Sequence, residues 1–350
     1  MKQKVTIKDV ALAAGVSNGT VHNALNGKAG VSEVVRNNVQ RIADELGYQP
    51  NVIASALRRK RLRIVAAFPD TVGENKYFYS ASWEGYRAYT EELRSYNIET
   101  IELPYRDQPG KHFHNRMKEL LEKYDWEIDG IITGGRFFGQ DQEMLRVLGR
   151  RGIALVLISE EMENIDCLCS IRSNHFIDGM LAAEIITPQL REHESVLICA
   201  GDMLLPSNKE NTKGFEYYFQ TNQVSNELFE VYGVDQIYDQ LLHYLKSDPA
   251  ITGLYSVNAR CSLLLAKAVE ETGRQNQVHL VATDLFPENA EYMKKGIISN
   301  IIHKGTTEHA KLGMKVLIDY LIKNELPENK CIKGKSIVLY RSNLNEYYSG

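Results

Sequence analysis

The chain has 350 residues, enough for two or three domains with sizeable cores, and its 43% apolar and 25% charged residues exclude a wholly disordered polypeptide. No apolar run approaches the ~18 residues of a membrane span, the first residues lack the apolar core of a secretory signal, and five scattered cysteines make no disulfide framework; the expected home is a reducing cytoplasm. The net charge of −4 is unevenly spread: residues 1–61 hold ten Lys/Arg and four Asp/Glu, a head of +6, which leaves −10 for the body. A polyanion is therefore expected to meet the head alone.

Three helices are predicted in the head. Residues 6–9 form a capping box ahead of Ile7, Val10, Ala11 and Ala14, and Gly15 ends that helix. Ser17 caps a second helix with Val21, Ala24 and Leu25 inward, stopped by Asn26-Gly27. Ser32 caps a third, where Val35, Val39, Ile42 and Leu46 make one apolar face before Gly47. Two short helices around a glycine turn, closed by a third, describe a helix-turn-helix unit. A recognition helix reads base edges with its first residues. Those are Asn18, Gly19, Thr20, His22 and Asn23, and Asn can pair bidentately with adenine. Taken singly, each would serve equally as a surface polar residue. Asn51 can cap two more turns over residues 52–57, too short to be stable alone. The basic run 58–61 that follows suits phosphates.

From residue 62, short apolar runs alternate with amphipathic stretches. Strands are predicted at 64–68, 98–103, 130–133, 154–158, 195–200, 253–257, 278–283 and 299–303. Helices are predicted around 79–96, 111–124, 140–151, 174–190, 207–221, 235–246, 260–273 and 306–323. Such alternation makes parallel sheets covered by helices. It runs twice, before and after about residue 172, which makes two lobes with a cleft at the strand ends. Asp70, Arg136, Asn258 and Asp284 follow or end apolar strands, where amides and carboxylates can fix sugar hydroxyls. Tyr77, Phe78, Tyr79, Trp83, Phe137 and Phe138 offer ring faces, or equally core and dimer surface.

The runs Thr6-Ile7-Lys8-Asp9-Val10-Ala11, Ala14-Gly15-Val16-Ser17, Thr20-Val21, Leu25-Asn26-Gly27, Val31-Ser32, Leu46-Gly47-Tyr48, Pro50-Asn51 and Ala54 to Leu57 resemble the head of the lactose-repressor (LacI/GalR-type) family of transcriptional regulators. The resemblance holds in register over about 60 residues and extends loosely through the rest. In the body, residues 174–183 with Asp178-Gly179 resemble the helix that opens the family's second lobe, and residues 209–215 its Arg-x-Arg-x-x-Gly-Phe segment. Asn258 and Asp284 match its strand-end positions. The resemblance implies an N-terminal all-α helix-turn-helix head (1–50) and a hinge helix (51–61) that folds when two copies meet on DNA. It implies an α/β body (62–350) for effector binding and dimerisation, of the two-lobed periplasmic-binding-protein-like fold with two parallel sheets. Lobe one would take about 62–171 and 304–325, lobe two about 172–303 and 326–350. DNA contacts are implied for Thr6, Ser17, Asn18, Gly19, Thr20, His22, Asn23, Asn26, Ala54, Leu57 and Arg58, with Leu57 as a minor-groove wedge. Effector contacts are expected for Asp70, Tyr77, Phe78, Arg136, Asn211, Asn258, Asp284 and His303, with Asn258 and Asp284 the positions that the resemblance itself implies. His22 and Asn23 depart from the family's usual residues after Thr-Val, so the base sequence read is this chain's own. Asn211 stands where the family has a ligand-clamping Arg; either Arg136 substitutes for it or the ligand is a neutral sugar, and the neutral sugar is the preferred reading.

The sequence has no G-x-S-x-G, P-loop or H-E-x-x-H motif. Cys167-Leu168-Cys169 reads as a buried pair rather than a metal site, and His112-Phe113-His114 as a solvated helix start. The expectation is a DNA-binding transcription regulator, a repressor of a palindromic operator under the control of a small-molecule effector. It needs no cofactor or metal and has no enzyme activity. A homodimer is expected, since residues 347–350 carry no leucine heptad to build a tetramer. A sugar-binding transport-type protein and a sugar-processing enzyme on the same scaffold are the alternatives.

Overall fold

The computed structural model describes residues 7–25, 30–46, 61–73, 76–94, 96–106, 112–158, 162 and 164–348. The chain divides into two compact units, the first ending at Lys60 and the second beginning at Arg61. Thr6, Asn26, Ala54, Leu57, Arg58 and the rest of 51–60 lie outside the described residues.

The head is built from α1 (Ile7–Ala14), α2 (Asn18–Leu25) and α3 (Glu33–Leu46). Gly15, at φ +66°, adopts the left-handed conformation that lets the chain leave α1 at once. Ser17 then caps α2: its Oγ accepts from the Thr20 N–H at 3.1 Å. Ser32 does the same for α3 through the Val35 N–H at 3.4 Å. Val10, Val21, Ala24, Val39, Ile42 and Ala43 close a small core. Leu46, expected on this face, is exposed at the end of α3.

The body contains two six-stranded sheets. The first comprises β1 (Leu62–Ala67), β2 (Ile98–Glu102), β3 (Gly130–Thr133), β4 (Ala154–Ile158), β5 (Cys169–Ser173) and β11 (Cys331–Gly334), in the order β11-β5-β4-β3-β1-β2. The second comprises β6 (Ser195–Gly201), β7 (Leu228–Tyr232), β8 (Ile251–Ser256), β9 (His279–Thr283), β10 (Asn300–His303) and β12 (Ile337–Leu339), in the order β12-β10-β9-β8-β6-β7. Every pairing is parallel except β10 with β12, so the second sheet is mixed at one edge. Helices α4 (Lys76–Leu93) and α12 (Thr306–Lys323) cover one face of the first sheet through Trp83, Tyr86, Met314 and Leu317. Helices α5 (His112–Lys123) and α6 (Gln140–Arg150) cover the other through Phe113, Met117, Leu145 and Leu148. In the second lobe, α7 (His175–Ile186) and α8 (Pro206–Thr221) lie on one face, α9 (Ile237–Ser247) and α10 (Ala259–Thr272) on the other. Two shorter helices, α11 (Pro287–Lys294) and α13 (Leu344–Tyr347), and a 3-10 turn at Thr187–Gln189 complete the described elements.

The chain passes between the lobes three times, after β5, after β10 and after β11. The last passage corrects the lobe boundary expected from sequence: residues 331–334 pair with β5 in the first sheet, and the second lobe regains the chain only at β12. The short C-terminal helix α13 was not among the predicted elements, nor were β5, β7, β11, β12 and α11, and it is the latter five that shape the two lobes. Four of these five are edge strands or a short helix with half-exposed residues, so their apolar signal is weak.

Two glycines explain the motifs at 178–179 and 209–215. A Cβ on Gly179 would strike the Asn211 carbonyl, and one on Gly214 the Phe176 carbonyl. Helices α7 and α8 therefore pack backbone to backbone, which only glycine allows at these positions. Gly179→Ala should overpack this seam and lower stability by about 1–3 kcal/mol. A fall in melting temperature in a thermal scan checks it; an unchanged one would mean that the helices separate freely.

Candidate ligand cleft and head helix

In both sheets the connections leave in opposite directions from one pair of neighbouring strands, β1/β3 in the first and β6/β8 in the second. Loops diverge at such a switch point and leave a crevice beyond the strand C-termini. The two crevices face each other across a cavity of about 110 Å³, well above the ~10–15 Å³ that one water needs. Its wall includes Phe78, Arg136 and Ser173 from lobe one and Asn208, Asn258 and Asp284 from lobe two. A larger hollow of about 530 Å³ lies at the opposite, N-terminal ends of β3 and β4. Its charged groups are committed elsewhere: Asp129 accepts from the Arg63 N–H, and Arg151 lies over the Trp126 ring. The cleft is the better candidate because its polar groups converge.

Of the residues expected at the effector site, Phe78, Arg136, Asn258 and Asp284 line the cavity. Asp284 is half-buried, at φ +67°. Burial pushes its carboxyl above the ordinary range, while Lys304, His303 and the Ala259 N–H pull the other way. Asn258 caps α10, its Oδ1 accepting from Cys261 N–H at 2.9 Å, and its Nδ2 donates to Asn208 Oδ1 at 3.3 Å. Arg136 reaches Asp202 of the other lobe at 3.8 Å.

The structure does not bring Asp70, Tyr77, Asn211 or His303 to this wall. Asp70 accepts from Val72 N–H and pairs with Arg106 at 3.4 Å. Asn211 is fully buried inside lobe two, accepting from Tyr255 Oη at 3.0 Å and donating to the Ser207 carbonyl at 2.8 Å. Tyr77 instead ties the lobes together: its ring stacks on Phe286 at 4.0 Å and its hydroxyl donates to Glu288. His303 ends β10, and it is the next residue, Lys304, that lines the cavity. Sequence reasoning also missed Ser173, His175, Asn208 and His309 on the wall. Asn208 lies three residues before Asn211 on α8, so the helical period was the signal. Of the residues considered as ring faces, Tyr79 also lines the cavity, though little of it is exposed, while Trp83 and Phe137 are buried away from it; Trp83 donates to the Pro69 carbonyl at 2.9 Å.

In the head, Asn18 and Gly19 are exposed at the start of α2, and Thr20 and Asn23 are half-buried beside them. Ser17 Oγ also lies 2.9 Å from Thr20 Oγ1. Arg36 holds the far end of α2 by donating to the Ala24 carbonyl at 2.9 Å. His22 lies on the same helix.

Residues 71–325 match the model of the periplasmic binding protein domain, and residues 6–51 that of the bacterial regulatory proteins of the lacI family. The body belongs to the periplasmic binding protein domain family, and the head is a lacI-family regulatory domain. The maltose regulon regulatory protein MalI of Escherichia coli is 27% identical over 215 residues, 61% of this chain and 58% of its own length. The chain thus spans little more than half of that relative. Catabolite control protein A of Staphylococcus xylosus is 24% identical over 94% of this chain and 96% of its own length. The fold is also that of a periplasmic ribose ABC transporter protein from Conexibacter woesei, with a TM-score of 0.70 at 16% identity over 83% of this chain and 95% of that one.

The body keeps titratable groups buried at its cleft. Burial lowers the His309 pKa to about 4, with Glu308 opposing and His303 assisting. The unfolded value is near 6.5, so the folded chain binds fewer protons between those pH values. The contribution is fully present above pH 6.5 and lost as pH falls towards 4, up to about 3 kcal/mol. Chemical unfolding at pH 7 and pH 4.5 should show a smaller acid loss in His309→Asn than in the parent. An equal loss in both would remove His309 as a cause.

Proposed function

We propose that this chain is a sequence-specific DNA-binding transcription regulator, acting as a repressor, whose effector is a neutral sugar bound in the body's cleft. Two copies read a palindromic operator, the start of α2 lies against base edges, and the protein works in the cytoplasm. Among the described residues no helix is long and apolar enough to cross a membrane, and both curated relatives are named as regulatory or control proteins rather than enzymes.

The observation that carries the sugar reading is the state of the cleft's cations. Arg136 is paired with Asp202, Arg260 donates to the Val234 carbonyl at 2.8 Å, and Lys304 donates to the Val257 carbonyl at 3.0 Å. With Asn211 turned into the lobe, the wall offers hydroxyl-binding amides, an aromatic edge and one carboxyl, a set suited to a polyol. A ligand that touches both lobes favours one arrangement of them by its differential affinity, and that difference alone can alter operator binding.

Asp284 is the residue that tests the assignment. Asp284→Asn keeps size and tolerates the left-handed backbone, but it exchanges an acceptor-only carboxylate for a mixed amide. The variant should fold and bind operator as the parent does, while its sugar midpoint rises about tenfold or more, which is about 1.4 kcal/mol. Titrating the operator complex with sugar measures this; an unchanged midpoint would take Asp284 out of the site.

A further inference from the structure

His175 opens α7 directly after the first passage between the lobes, and it lines the cavity. The residue is only 7% exposed, yet neither ring nitrogen has a hydrogen-bond partner among the described residues. Nδ1 stands 3.7 Å from Asp178 Oδ2, just beyond hydrogen-bond reach. Asp178 is buried too; its Oδ1 accepts from Ser336 Oγ at 2.5 Å, and its Oδ2 has no partner. Ser336 lies between β11 and β12, in the third passage. A single line of groups thus runs from the cavity wall through His175 and Asp178 to another crossing of the chain. Buried polar atoms in native proteins almost always have partners, so three without one, side by side on a ligand cavity, call for a polar group from the ligand.

We propose that His175 is a specificity-determining contact of the effector: Nε2 accepts a hydrogen bond from a ligand hydroxyl, while Nδ1–H closes on Asp178 Oδ2. The contact selects a ligand with a hydroxyl proton to donate and links it to Ser336 at the third passage. Burial and the facing cations Lys304 and Arg172, with His309, keep the ring neutral. A neutral imidazole has one donor and one acceptor, as this arrangement needs; an imidazolium could only donate and would suit an anion. The inference rests on the sugar reading of the cleft.

The test is a thermal-shift titration of the full chain with D-ribose, D-glucose, D-galactose and maltose. His175→Phe keeps the ring shape and removes both nitrogens. It should melt within a few degrees of the parent without sugar, yet need about tenfold more of whichever sugar shifts the parent. His175→Ala should show the same rise, and it decides the matter if the Phe variant does not fold. A variant that responds at the parental midpoint overturns the role of His175 and leaves the sugar reading standing. A parent chain that none of these sugars shifts overturns the sugar reading, and the role of His175 with it.

Discussion

The body depends on three chain passages between two sheets that are otherwise separately closed. Each sheet buries its own faces under its own helices, and among the described residues no buried apolar cluster spans both lobes. Asp178 meets Ser336, and His309 packs under Gly334 so closely that a Cβ there would strike its ring. Because these groups are polar and buried, their geometry is demanding: a partner lost or misplaced by an ångström costs as much as a whole hydrogen bond gains. The lobes can move only as these crossings permit. The ligand cavity lies against them.

Away from the crossings, the lobes touch through a few ties. Tyr77 stacks on Phe286 and Arg136 faces Asp202. Pairs near the surface contribute about 1 kcal/mol or less each, and one aromatic pair about 0.5–1.5 kcal/mol beyond its buried area. Such ties are weak enough for a ligand to outweigh. A coupling of 1–3 kcal/mol is the usual scale of allosteric control, so a small polar ligand that prefers one lobe arrangement suffices to bias the whole body.

Much of this was legible in the sequence because burial writes itself there. The strands at 130–133 and 154–158 are buried end to end and read as plain apolar runs. The head's helices announced themselves by Ser17, Gly15 and Ser32. What escaped follows physical rules that one sequence does not display. Edge strands such as β11 are half-exposed and carry no apolar run. Strand alternation puts Lys304, not His303, on the cavity wall, a one-residue difference that depends on where β10 ends. Asn211 sits where a ligand clamp was implied, but the close approach of α7 to α8 turns it towards Tyr255. His175 gave no sign, since its role is set by the passage it follows rather than by a motif.

Linkage tests the central claim most directly. An operator duplex is first selected from random sequence with the full chain, and the sugar giving the largest thermal shift is taken as effector. Operator affinity is measured with and without saturating sugar, and sugar affinity with and without operator. The account predicts that both change by the same factor, about tenfold or more, because one lobe arrangement links the two sites. A sugar that binds the cleft and leaves operator affinity unchanged would contradict it.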